Sequence, residues 1–239
     1  MSMGAVWIFM RHFAKMRHPL PADGARLAEG GDILRRAVAE WNRIDREEVA
    51  ISEEGRETAR QLACALPAYL ASLGMEVQRV LVSPYRRTRE SAELVAGCFP
   101  DAEIIVDDRL VELDPGVRCL GSFEDACARF PGYREEAYRA FLDACPPFGE
   151  SHAQVRDGRV RSFLEDLKLL EGGSFIVTHA GVVECVHQIA YGTPDAAVVR
   201  KLSEGTSARF GSLLACRYHA DAGRVEPLAD DLCLYEPLG

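Results

Sequence analysis

The segment Val6-Trp7-Ile8-Phe9-Met10-Arg11-His12 constrains the fold more than any other stretch of this chain. An unbroken apolar, β-prone run suits a strand buried on both faces, and such strands belong to parallel sheets covered by helices. The run ends directly on an arginine and a histidine. Open α/β sheets bind ligands in the crevice beyond the carboxyl ends of their strands, so both polar side chains fall where chemistry is placed. The pattern recurs downstream. Ser174-Phe175-Ile176-Val177-Thr178 ends on His179, Ala180 and Gly181, and Val80-Leu81-Val82 leads through Ser83 and Pro84 to Arg86, Arg87 and Arg89. Taken singly these residues have plainer readings: a histidine after a strand is usually a hydrogen-bonded structural group, and an arginine-rich stretch is usually a solvated helix face. The same arrangement met repeatedly points to phosphoryl transfer, since guanidinium forks match phosphate oxygens and imidazole can accept a phosphoryl group.

Strands are expected at about 5–10, 79–83, 103–107 and 174–178, with another near 212–218. Helices are expected at 31–41, 53–73, 84–97, 122–129, 132–143, 151–170, 181–191 and 195–202. This alternation, without an internal repeat or low-complexity linker, predicts one α/β domain over residues 1–239 with a mostly parallel sheet. The length suffices for a single core of that class. Two connections are longer than simple loops. Residues 17–50 and 113–148 are expected as lid-like insertions over the active-site edge, and the C-terminal tail as a surface segment.

A net charge of −9 argues against non-specific nucleic-acid binding. Against that acidic background Arg11, Lys15, Arg17, His18 and Arg26 cluster after the first strand, which suits focusing of an anionic substrate; Lys15 is taken as a phosphate-binding candidate, and Arg26 is equally well a loop charge. No stretch approaches membrane-spanning length and no leader pattern opens the chain, so the expectation is a cytoplasmic protein without a membrane partner. The eight cysteines are scattered without a CxxC pair, which argues against a zinc site or a disulfide framework and for a reduced compartment. Cys64 and Cys185 lie in apolar helical patterns and are expected as buried thiols. No metal-ligand spacing, GxGxxG or P-loop is present, so neither metal nor cofactor is expected.

Arg11-His12, the stretch from Ser83 to Ala92, Leu110-Val111-Glu112 and Thr178-His179-Ala180-Gly181 occur in the order of the histidine phosphatase superfamily, the phosphoglycerate mutase-like clan. The resemblance spans roughly residues 6–190. Weaker echoes are Ile51 to Ala59 and Gly149-Glu150-Ser151. It implies a three-layer sandwich, with a mostly parallel central sheet and helices on both faces. It also implies a metal-independent phosphomonoesterase working through a phosphohistidine. By resemblance, His12 is the nucleophile, His179 and Arg11 contact the phosphoryl group, and Glu112 is the proton donor. Asp107, Asp108 and Asp114 are rivals for that last role, and the plainer reading of Glu112 is a surface carboxylate paired with Arg109 or Arg118. The acid-phosphatase branch places its acid immediately after the second histidine; here that residue is Ala180.

Departures from the pattern fall on the first loop. Phe13 stands where glycine is usual, and Lys15 and His18 replace the common threonine and asparagine, so the loop either takes another path or hosts an aromatic wall. His18 either contacts phosphate or caps the loop, while His152, His187 and His219 read as structural. The expected substrate is a small phosphorylated metabolite. A mutase-type phosphotransferase, a phosphoprotein phosphatase and a catalytically silent phospho-ligand binding module are the alternatives, and a homodimer stays open.

Helix geometry separates the three arginines. With Ser83 as N-cap and Pro84 at the first helical position, Arg86 has Glu90 and Arg89 has Glu93 at i+4, the spacing of solvated ion pairs. Arg87 instead shares its stripe with Ser91 and Leu94, faces inward and has no such partner. It is the phosphate-binding candidate on geometry and by resemblance alike.

Overall fold

A computed structural model describes residues 4–19, 25–204 and 208–235. Within 17–50, residues 20–24 therefore lie outside the described residues, as do 236–239 of the tail. The strands are β1 (Ala5–Arg11), β2 (Val77–Val82), β3 (Glu103–Val106), β4 (Gly173–Thr178), β5 (Leu213–His219) and β6 (Arg224–Leu232). The helices are α1 (Gly31–Glu47), α2 (Glu53–Ser72), α3 (Arg86–Ala96), α4 (Phe123–Arg129), α5 (Pro131–Arg139), α6 (His152–Val155), α7 (Arg161–Leu167), α8 (Ala180–Tyr191) and α9 (Asp195–Glu204). One sheet runs β3-β2-β4-β1-β5-β6. Its first four strands are parallel, and β5 and β6 extend it antiparallel beyond β1.

Period-two alternation sorts the strand residues between two cores. Val6, Ile8, Met10, Val80, Val82, Phe175 and Val177 face α2 and α3, meeting Leu62, Leu66 and Val95. Trp7, Phe9, Leu81 and Ile176 face α7 and α8, meeting Phe163, Leu164, Val182 and Val186. Helices thus cover both faces, which gives the expected three layers. The two long connections build a third, smaller core of their own from Leu34, Val38, Val117, Leu120, Ala126 and Tyr133. Burying apolar surface between them makes the two connections one packed unit rather than two loose loops.

Several expectations need correction. The helix expected from 84 starts at Arg86 with Tyr85 at its cap position, so Ser83 is not an N-cap and Pro84 precedes the helix. The helix expected over 151–170 is interrupted by a π turn at Arg156–Val160. Residues 224–232 are not a surface tail but an edge strand. Pro227 and the paired acids Asp230-Asp231 mask its β pattern, and β6 tolerates them because an edge strand with register shifts leaves backbone donors unneeded. Cys64 is exposed, since the buried stripe of α2 runs through Leu62, Leu66 and Leu70 and misses it; Cys185 is buried as expected. Helix α1 runs six residues beyond the expected 41, to Glu47, and that extra length carries Asp45 into the site.

Candidate active site

Parallel pairing sets the site. Arg11 is in register with Thr178 in β4, and Val82 with Val177. The residues that follow, His12, His179 and Ser83, therefore emerge side by side at one sheet edge. The chain leaving β3 brings the loop with Glu112 to the same edge, where the Thr178 hydroxyl donates to the Leu110 carbonyl at 2.8 Å.

His12 is buried, and its Nδ1 lies 2.7 Å from the Phe13 carbonyl oxygen. A carbonyl only accepts, so Nδ1 carries the hydrogen and Nε2 the lone pair. That lone pair takes a hydrogen bond from Arg87 Nε at 3.2 Å. Burial, then the Arg87 charge, hold the imidazole well below the usual histidine range, with Arg11 and Lys15 adding to the effect. The ring is thus neutral, with its lone pair on a defined atom.

His179 is fully buried, its ring centroid 5.2 Å from that of His12. Its Nε2 is 2.8 Å from the Ser83 hydroxyl oxygen, while Nδ1 has no partner among the described residues. An unsatisfied buried ring nitrogen costs about 1–3 kcal/mol, an outlay common where a ligand completes the bonding. Burial and the neighbouring Arg87 lower this histidine too. Tyr85 closes the side of the site, its ring 4.8 Å from His179 and 4.6 Å from the Arg87 guanidinium carbon, and burial pushes its phenol up to about 12.

Arg87 is buried, as its inward stripe predicts. Besides His12 it donates to the Asp45 carbonyl at 2.7 Å and the Asp45 carboxylate at 3.0 Å. Lys15 binds the other oxygen of that carboxylate at 2.8 Å. Arg11, on the far side, donates to the Ala208 carbonyl at 2.5 Å and lies 3.8 Å above the Phe210 ring. On α3, Arg86 pairs with Glu90 at 2.8 Å as expected, whereas among the described residues no Arg89–Glu93 pair forms.

Glu112 is half-buried and does not pair with Arg109, which binds Asp107 and Asp166 instead. Its Oε1 accepts from the backbone N–H groups of Leu113 at 3.0 Å and Gly181 at 3.2 Å. Gly181 lies in the first turn of α8, and a Cβ there would come within 2.7 Å of that oxygen and push the carboxylate from this position. Arg159, in the π turn, clamps the loop. It donates to the carbonyls of Arg109 at 3.2 Å, Val111 at 2.5 Å and Glu112 at 3.2 Å, and to Glu150 at 2.9 Å. A π turn re-aims side chains within a helix and often marks function.

The first loop resolves in favour of another path. Phe13 is not an aromatic wall; its ring is fully buried in the core beside Gly211, and its backbone N–H donates to Ser91 Oγ at 3.1 Å. His18 stacks on Trp41 at 4.1 Å, with Nε2 3.0 Å from that residue's carbonyl oxygen. His152 is buried against Gln188, and His187 and His219 pair with Asp230 and Glu226. Sequence reasoning missed Asp45 and Arg159, which reach the site only through tertiary structure, and gave Ser83 the wrong task. Ser83 carried the same signal as the histidines: it ends a buried strand.

A sequence profile described as "Histidine phosphatase superfamily (branch 1)" matches residues 33–209, a span that holds Arg87, Glu112 and His179 and begins after His12. The Escherichia coli protein named "Probable phosphoglycerate mutase GpmB" is 28% identical over 171 residues, covering 68% of this chain and 74% of its own. Among solved structures, mycobacterial glucosyl-3-phosphoglycerate phosphatase with inorganic phosphate superposes with a TM-score of 0.66 at 18% identity, over 96% of this chain and 98% of that one. Bacillus stearothermophilus YhfR superposes at 0.64 and 19% identity, over 95% and 96%.

Proposed function

The chain belongs to the histidine phosphatase superfamily, and from that membership we propose that it is a metal-independent phosphomonoesterase that cleaves a small phosphorylated metabolite through a phosphohistidine on His12. The observation that carries the reading is the His12 ring: its Nδ1–H is tied to Phe13, its Nε2 lone pair is turned toward Arg87, and its ring lies beside the second histidine. A neutral, oriented imidazole among cations is what nucleophilic attack on a phosphate ester needs. In the first step Nε2 attacks phosphorus, the P–O bond to the leaving group breaks, and Glu112 gives that oxygen its proton. Arg11, Arg87, Lys15 and His179 hold the charge spread over the phosphoryl oxygens. In the second step Glu112 takes a proton from water, which attacks the phosphohistidine and frees inorganic phosphate. The phosphatase similarity and the two long connections, packed on a shared core, favour hydrolysis of a small ester over a protein substrate.

The test is release of phosphate from p-nitrophenyl phosphate and a panel of phosphorylated metabolites, with and without EDTA. Among the described residues no group of three or more His, Cys, Asp or Glu side chains is placed to hold a metal, and the rate should be unchanged by the chelator. Because His12 is held below the ordinary histidine range, it stays unprotonated as the pH falls past about 6.5. The pH profile of kcat/KM should therefore peak in mildly acidic to neutral solution, with its acid limb below 6.5. Strict dependence on added Mg²⁺ or Zn²⁺, or no phosphate release from any ester, would refute the proposal.

Arg159 enters this mechanism as a positioning residue. Removing its clamp frees the backbone that aims Glu112, so Arg159→Met should slow turnover by at least about tenfold for alkyl phosphates, whose leaving oxygen needs the proton. The loss should be much smaller for p-nitrophenyl phosphate, whose leaving group departs without one. Equal losses on both substrates would assign Arg159 to general stability instead.

A further inference from the structure

Asp45 supplies acceptors to two cations at the heart of the site. Its carbonyl and one carboxylate oxygen hold Arg87 at 2.7 and 3.0 Å, and the other oxygen holds Lys15 at 2.8 Å. The Arg87–Asp45 pair is buried, the Arg87 side chain 2% and that of Asp45 8% exposed, while Lys15 is half-buried. The same arrangement places Arg87 Nε on the His12 Nε2 lone pair at 3.2 Å. Reacting atoms must come within about 3–3.5 Å before they can bond. A phosphorus atom attacked by Nε2 therefore needs the position that Arg87 Nε occupies, and Arg87, pinned by the Asp45 carbonyl and carboxylate, vacates it by loosening that hold.

We propose that Asp45 is an internal anion of the phosphate site, which holds Arg87 and Lys15 across His12 and must yield them when a phosphoryl group binds. The inference rests on the phosphatase reading and adds to it a residue that sets phosphate affinity. A phosphoryl dianion carries twice the charge of a carboxylate and more acceptor oxygens, so it can take over both cations. Between turnovers the carboxylate keeps a buried guanidinium paired, without which its burial would be costly. It also competes with the product, inorganic phosphate, and so favours its release. Helix α1 links this exchange to the acid loop, because Asn42, one turn before Asp45, donates to Asp114 at 2.9 Å.

Two measurements test it, both with inorganic phosphate as the probe. In the wild-type protein, hydrogen exchange of α1 over residues 41–47 should become faster when phosphate is added, because a bound anion releases the helix from its anchor. Slower exchange there, or no change while phosphate demonstrably binds, overturns the inference. In Asp45→Asn, which keeps the side chain's size but removes its charge, the inhibition constant for phosphate should fall on the order of tenfold. Weaker or equal phosphate binding would show that Asp45 merely positions the cations. Should that variant fail to fold, the exchange experiment decides alone. A wild-type protein that neither binds phosphate nor cleaves p-nitrophenyl phosphate would fail the phosphatase reading itself; one that does both but fails these tests discards only the role of Asp45.

Discussion

Replacing His12 by alanine should abolish turnover, a loss of at least about a thousandfold, because no neighbour can supply the attacking nitrogen. Among the described residues, His179 is the imidazole in ring contact with His12, and its Nε2 is held against Ser83. Quenching the wild-type reaction with a radiolabelled phosphate ester should trap acid-labile, base-stable phosphate on the protein, and the variant should show none. The variant should still fold, since the His12 ring makes two side-chain hydrogen bonds, one to the Phe13 carbonyl and one from Arg87, and Arg87 keeps its hold on Asp45 without it. A cooperative melt recorded beside the assay checks that point. Full activity in His12→Ala would sink the phosphohistidine mechanism.

The second large effect is expected at Arg87. Arg87→Ala removes a guanidinium in contact with both His12 and Asp45, and kcat/KM should drop on the order of 100-fold or more. The variant should also lose stability, because Asp45 would be left buried with Lys15 as its remaining cation; breaking a buried pair costs about 3–5 kcal/mol. Assays must therefore run well below its melting temperature. Arg86→Ala and Arg89→Ala should stay within about twofold of wild type. Arg86 pairs with Glu90 on the surface, where such a bond contributes only about 0.3–0.5 kcal/mol, and Arg89 is exposed. A larger activity loss at Arg86 or Arg89 than at Arg87 would contradict the assignment.

How much of this was legible in the sequence depends on how local each signal is. The central parallel strands β1, β2 and β4 could be read because burial writes a short apolar run, the exposed edge strand β3 because its isoleucines and valine are β-branched, and the site histidines because they end buried runs. Arg87 could be read because helix periodicity is local, even though the helix begins later than its cap signals suggest. Ser83 and Pro84 look like a helix start, yet tertiary demand assigns the serine hydroxyl to His179, and that contact outweighs the capping preference. Strand β6 hid behind Pro227 and its acids, since an edge strand need not look apolar or keep every donor. Asp45 and Arg159 left no trace. A carboxylate on a polar helix and an arginine in a charged one are ordinary, and only the packing of α1 and the π turn gives them their neighbours.

The position of β4 has a consequence for how this chain acquires its fold. It lies between β2 and β1 and pairs with both, yet it is made from residues 173–178, long after either of them. Until that segment is synthesised, β1 and β2 have no parallel partner to join them, and His12 waits for a neighbour that lies more than half the chain away. Contacts so distant in sequence make for slow folding, because loop-closure entropy is spent before the contacts repay it. A nascent chain that stops short of Gly173 exposes two apolar strands with open edges, the kind of surface that chaperones cover and that aggregates grow from. The strand that completes the site is thus also the keystone of the sheet, and catalytic competence and escape from aggregation arrive in the same folding event.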